Sequence, residues 1–204
     1  MSLGRALTVI ALAALLGGLP HVATAGAQRY EPLAASVQAA LHASISDRAA
    51  PLPEDMADRG WIAEMSQRLA RHIPDESSRH DLLASVFYEA RRAGLDPQLV
   101  LGLIQVESGF RKYAISPAGA RGYMQVMPFW VGLIGTPGTN LFHLRTNLRY
   151  GCTILRHYLD IERGDLYRAL GRYNGSLGRP EYPNAVRANW ERHWQYEPRP
   201  LARR

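Results

Sequence analysis

The sequence predicts a mainly helical fold. Apolar residues recur at three- and four-residue spacing through most segments between residues 55 and 194. Asp, Pro and Gly stand where helices start and stop. A single short stretch, Met124-Gln125-Val126-Met127, reads as extended. The 204 residues, 47% hydrophobic and 21% charged, suit one domain with a real core. A disordered chain, a collagen-like repeat and a multispan membrane protein are excluded.

Residues 1–25 read as a signal peptide. Arg5 opens it, the stretch from Ala6 to Leu19 is apolar but for Thr8, and Pro20 ends it. Ala23-Thr24-Ala25 has the small-x-small form of a cleavage site, and Ala25-Gly26-Ala27 is a second one. No cysteine lies near the cut, so a lipoprotein anchor is not expected. Residues 26–75 form an N-terminal arm of unknown role, Ala-rich at first and interrupted by Pro51-Leu52-Pro53. Residues 26–54 read as a loosely attached arm or a short helix, and residues 55–72 as a helix that places Ile62, Met65 and Leu69 on one face and ends at Pro74.

The main domain spans 76–194. A helix begins at Asp81 with Leu82, Leu83, Val86, Phe87 and Ala90 on one face, and Gly94 stops it. Asp96-Pro97 is a cap followed by proline at the first helical position, so the next helix runs from Pro97 to Ser108 and closes at Gly109. Pro117, Gly119 and Gly122 punctuate a loop. Helices follow at 147–159, 165–172 and 184–194, the last after a turn-rich loop over 175–183. Residues 195–204 are a basic tail, expected to fray.

The net charge of +6 at pH 7 and the pI near 9.8 favour anionic partners. Arginines are scattered along every helix rather than clustered, which argues against nucleic acid. Arg91-Arg92 and the Arg203-Arg204 tail suit a peripheral contact with anionic wall polymer or a membrane surface. The lone Cys152 reads as a packed thiol. The seven histidines form no metal spacing, and no cofactor motif is present. Ser108 lacks nucleophile-elbow glycines.

Glu107 stands out. It falls in the last turn of a helix with an apolar inner face, at the negative end of the helix dipole. Dipole and burial both disfavour its ionisation, as a glycosidase acid requires. Read locally, a solvated helix-end carboxylate is the simpler reading.

The residues that follow carry a resemblance. Glu107-Ser108, then Ser116-Pro117-Ala118-Gly119-Ala120, then Gly122-Tyr123-Met124-Gln125-Val126-Met127-Pro128 resemble the lytic transglycosylases of the soluble (SLT) type, glycoside hydrolase family 23. Asn147, Gly151 and Tyr158-Leu159, and then Ala169-Leu170 with Tyr173-Asn174-Gly175, look like the family's later motifs. The resemblance covers residues 81–194. It implies a lysozyme-like helical domain with a small β-hairpin lining a saccharide groove, and peptidoglycan glycan strands as substrate. Cleavage would be non-hydrolytic, between N-acetylmuramic acid and N-acetylglucosamine, leaving 1,6-anhydro ends, with Glu107 as acid and then base. No cofactor and no metal are implied, and the location would be periplasmic.

Ser116, Met124, Gln125, Met127, Tyr173 and Asn174 match the family's substrate-binding positions. Ser116 and Gln125 offer hydrogen bonds; Met124 and Met127 offer a polarisable groove floor, with core packing equally open for one of them; Tyr173 and Asn174 offer a stacking ring with its polar neighbour, Tyr173 alternatively closing its helix against the loop. Trp130, Trp190 and Trp194 are further rings for sugars or for packing. The sequence departs from the pattern at Tyr123, Arg172 and Ser176. Aligned on the last motif, Ala185 falls where the family has a tyrosine beside its acid, and Tyr182 is expected to supply that hydroxyl from three residues earlier. A weakly active or inactive peptidoglycan-binding or assembly module, and a hydrolytic muramidase on the same fold, are the alternative readings.

Overall fold

A computed structural model describes residues 28–47 and 56–197. The signal-peptide and tail readings at 1–25 and beyond 197 lie outside the described residues. The described chain is mainly helical: α1 Ala35–Ser46, α2 Met56–Leu69, α3 Glu76–Arg92, α4 Pro97–Ser108, α5 Phe129–Ile134, α6 Leu144–Ile161, α7 Leu166–Asn174 and α8 Glu181–Asn189, which runs into a π-helical turn, Trp190–Trp194. None of the described helices is long and apolar enough to cross a membrane.

Local chemistry sets most helix ends. Asp75 caps α3 by accepting from the Ser78 N–H at 2.7 Å. This moves the helix start ahead of the expected Asp81, because the cap outweighs the polar run that follows it. Asp96 accepts from the Gln98 N–H at 2.8 Å, with Pro97 in the first turn, and Gly109 closes α4 at φ 56°. α6 buries Leu148, Cys152, Ile154 and Leu155 and forms the centre, packed between α3 and α7.

α4 lies against α8 and the π-helical turn. Gly102 makes that approach possible: a Cβ there would lie 2.9 Å from both Cβ and N of Trp190. The expected helix over 184–194 instead begins at Glu181 and changes to π geometry at Trp190. Trp194 is thereby turned fully inward, and its indole N–H donates to Gln105 Oε1 at 2.7 Å.

Of the two readings of 26–54, the short helix is the one that forms, as α1, and its described residues are held to the domain. α1 rests on α5 and α6. Gln38 Nε2 donates to the Leu133 carbonyl at 2.6 Å, and His42 Nδ1 pairs with the Ile134 carbonyl at 3.0 Å. The C-terminal carbonyls of α1 are held by two arginines: Arg92 donates to the Ser44 carbonyl at 2.7 Å and Arg149 to that of Asp47 at 2.5 Å. Buried Glu89 orients both, 2.9 Å from each. A cleft of about 400 Å³ lies under α1, lined by Leu41, Arg92, Arg156 and His157. Both its arginines are paired, Arg92 with Glu89 and Arg156 with Asp160.

The expected β-hairpin is replaced by two isolated antiparallel bridges, Ile115 with Arg121 and Arg121 with Val126. No continuous strand forms among the described residues. Gly122 and Gln125 both take positive φ, 77° and 48°, which breaks the extended ladder. The Met124 N–H and carbonyl bond to side chains instead.

Candidate active site

Two carboxylates are buried among the described residues, Glu89 and Glu107. Glu89 is committed to its arginines. Glu107, 4% exposed, meets a phenol: Tyr182 Oη donates to its Oε1 at 2.5 Å, across 75 residues of sequence. Gly109 and Phe110 fix the helix end beneath it. Both take positive φ, and Phe110 is pressed between His72 and Trp194, with ring centroids 5.0 and 5.3 Å away. Because Gly102 lets α8 come close, Tyr182, one residue into α8, reaches the last turn of α4. Burial, then the Glu107 charge and the hydrogen bond to it, hold the Tyr182 phenol well above its ordinary range. It stays a neutral donor.

The loop of residues 114–127 is braced from several sides. The Ser116 N–H donates to the Ala120 carbonyl at 3.0 Å, and Ser116 Oγ accepts from the Ala120 N–H at 3.1 Å. Asn147 ties the loop to α6: its Oδ1 accepts from the Met124 N–H, and its Nδ2 donates to the Arg121 and Leu141 carbonyls, each at 2.8 Å. A Cβ at Gly122 would lie 2.5 Å from that Nδ2. Tyr173 Oη donates to the Met124 carbonyl at 2.8 Å. Burial first, then the Glu107 charge, raises the Tyr173 phenol well above its ordinary range.

These contacts sort the expected site residues. Glu107 and Tyr182 come together. Tyr173 lies within the field of Glu107. Met124 and Tyr173 are wholly buried, so neither presents a face to a sugar, and both take the packing role rather than the substrate-binding one. Met124 fills the space over Gly151, where a Cβ would lie 2.3 Å from its sulfur. Met127 is half-buried and remains at the surface of the loop. Gln125 is buried and spends both amide protons on the loop, donating to the Ala114 and Gly122 carbonyls at 3.1 and 2.9 Å. Those protons are not offered to a sugar here. Asn174 donates to Ser176 Oγ at 3.1 Å, while its buried Oδ1 accepts nothing. Trp130 and Trp194 are buried, and Trp190 is half-buried.

Two contributors were not expected as site residues. Asn147 was legible as a motif residue but not as the brace of the loop. Gln28 had no signal at all: a polar residue between Ala25-Gly26-Ala27 and Arg29, it reaches the loop 97 residues away. No group of His, Cys, Asp and Glu among the described residues could hold a metal ion.

A carboxyl shielded from water beside a neutral hydroxyl, at the foot of a braced loop, is an arrangement for moving a proton. Residues 84–191 match the transglycosylase SLT domain, more than half of the chain. The chain belongs to this family. Among similar proteins, the membrane-bound lytic murein transglycosylase C of Mannheimia succiniciproducens is 39% identical over 79 residues, 39% of this chain and 20% of that protein. The transglycosylase of Enterobacteria phage PRD1 is 36% identical over 96 residues, 47% of this chain and 32% of the phage protein. The chain thus spans between a fifth and a third of these relatives' length. A solved structure of an inactive mutant of the lytic transglycosylase Slt from Pseudomonas aeruginosa aligns with a TM-score of 0.42 and 24% identity, over 64% of this chain and 22% of that one. Glu107, Tyr182 and the braced loop all lie inside the SLT domain.

Proposed function

We propose that this SLT-domain protein is a peptidoglycan lytic transglycosylase of glycoside hydrolase family 23, with Glu107 as its catalytic acid and base. The observation that carries the reading is the buried Glu107 carboxyl with the Tyr182 hydroxyl 2.5 Å from its Oε1. Glu107 donates a proton to the glycosidic oxygen between N-acetylmuramic acid and N-acetylglucosamine. The bond to C1 breaks, and the sugar's own acetamido oxygen stabilises the cationic centre. Glu107, now a carboxylate, takes the proton of the muramoyl 6-hydroxyl as that oxygen attacks C1. The product is a 1,6-anhydro ring, with no water consumed. One carboxylate suffices because its two duties are sequential, whereas ordinary glycosidases divide them between a pair.

Tyr182 holds Oε1 and steadies the carboxylate formed after the first transfer. Ser116 and Met127 lie on the loop that would face the glycan, and Asn174 supplies a buried carbonyl oxygen at its edge. The main domain, 76–194, carries this chemistry. Residues 1–25 serve as a cleaved signal peptide, and the protein works in the periplasm. The similar proteins named for membrane-bound murein transglycosylases support an envelope location. The net positive charge suits a salt-screened approach to anionic wall polymer.

The deciding experiment is mass spectrometry of fragments released from purified sacculi, with Glu107→Gln alongside. Anhydro-muramoyl products are expected, lighter by one water than hydrolytic ones. The variant should lose at least a hundredfold in rate while still binding sacculi. Reducing-end products dependent on Glu107 would assign a muramidase instead. Sacculus binding without any product would leave a binding module.

A further inference from the structure

The first described residue of the N-terminal arm reaches the loop of the candidate site. Gln28 is 4% exposed, although Arg29 and Tyr30 beside it are exposed. Its Nε2 donates to the Gln125 carbonyl at 3.3 Å. Its Oε1 accepts from the Met127 N–H at 3.3 Å and from the Trp130 indole N–H at 3.0 Å. A hydrogen bond with Gln28 also works against the upward pull that burial and the Glu107 charge exert on the Tyr173 phenol.

A carboxamide and an N-acetyl group present the same functions, a carbonyl acceptor and an N–H donor. A backbone carbonyl and a backbone N–H two residues apart, with an indole N–H beside them, suit either group. Here the protein's own side chain fills that position. The residues that follow keep it there. The Tyr30 ring packs edge-on to Phe129, with centroids 5.7 Å apart, and Glu31 pairs with Arg172 at 3.5 Å. Gln38 and His42 then tie α1 to the carbonyls at the end of α5, and Arg92 and Arg149 secure its last turn.

We propose that residues 28–46 are a strap closing one end of the glycan groove, with the Gln28 carboxamide standing where a substrate acetamido group would otherwise sit. A strand then enters from one side only, and the enzyme works from strand ends. This inference rests on the transglycosylase reading above.

The test uses the full mature protein, Gln28→Ala, and a Gln38→Ala/His42→Ala double variant that loosens α1 from α5. Each is checked for folding by circular dichroism, and Gln28→Ala alone is sufficient if the double variant does not fold. On long, uncrosslinked glycan strands, the natural protein should release disaccharide units from the start. The variants should generate intermediate lengths early. Affinity for the N-acetylglucosamine trisaccharide, followed by NMR titration, should rise about tenfold in the variants, the worth of roughly one competing hydrogen bond. Early intermediate lengths from the natural protein would overturn the strap. So would a folded Gln28→Ala with an unchanged product pattern and unchanged trisaccharide affinity. Failure of every protein to cleave would instead remove the transglycosylase reading. The titration would still decide the strap, because unchanged affinity overturns it.

Discussion

Tyr182 and Glu107 meet because two helices far apart in sequence are brought into close contact. A phenol donating to a carboxylate favours its charged form, and a phenol kept protonated by burial can donate across the whole working pH range. Removing the hydroxyl while keeping the ring should therefore change chemistry more than stability. Tyr182→Phe is expected to lower the cleavage rate by roughly tenfold to a hundredfold and to move the pH–rate profile upward, because the carboxylate loses a donor. Initial rates on sacculi between pH 4 and 8 would show this. An unaltered rate and profile would remove Tyr182 from the mechanism.

At the scale of elements, the decisive contact is α4 against α8 and the π-helical turn. Gly102 costs helix propensity, about 1 kcal/mol against alanine. The close approach of the Trp190 backbone explains why that cost is borne. Gly102→Ala regains the propensity but forces a Cβ to 2.9 Å from backbone N and to 3.0 Å from Cα, neither of which can rotate away. Overpacking of this kind costs about 1–3 kcal/mol, so the variant should be less stable by roughly 1 kcal/mol net. Thermal melts would record a fall of a few degrees. Since α8 must move out, activity should fall as well, although Gly102 touches neither Glu107 nor Tyr182.

The whole molecule is fastened by charges as well as by its apolar core. Glu89 is buried between Arg92 and Arg149, and both arginines also hold the end of α1. Glu89→Ala would leave two cations without their counter-charge. The expected loss is roughly 3–5 kcal/mol, a drop of about 10 °C in Tm. A smaller drop in the Glu89→Gln variant would show that the hydrogen bonds carry part of that energy. Acid acts on another part of the fold. His157 lies between Trp130 and Tyr158, with ring centroids 6.4 and 5.6 Å away. Burial pulls it below its ordinary 6.5, against the opposing pull of Asp160 and Glu31. His72 is lowered too, first by burial and then by Arg71. Above 6.5 both rings are neutral, folded or unfolded, and contribute nothing. As pH falls below 6.5, the unfolded chain takes up protons first, so stability declines. Melts at pH 7 and pH 5.5 should show this decline, and His157→Gln should make it shallower.

The sequence by itself determined the family and most of the helices, though not α5 or the start of α3. Asp96-Pro97 and Gly109 bound α4 at its observed ends, and the apolar spacing of α3 identified its inner face. Caps and periodicity act over a few residues, so they can be read along the chain. The spacing from Glu107 through Ser116 to Gln125 carried the resemblance for the same reason. Tertiary structure decided the rest. Met124 and Tyr173 turned into the core because Gly151 leaves room for the one and the Met124 carbonyl needs a donor from the other. The extended piece became two isolated bridges because side chains of Asn147 and Tyr173, on other helices, took its backbone bonds. Gln28 entered the site across 97 residues through three hydrogen bonds with no local pattern behind them. A hydrogen bond between distant segments depends on how helices pack, and packing is settled by volumes and close approaches that no single stretch of sequence contains.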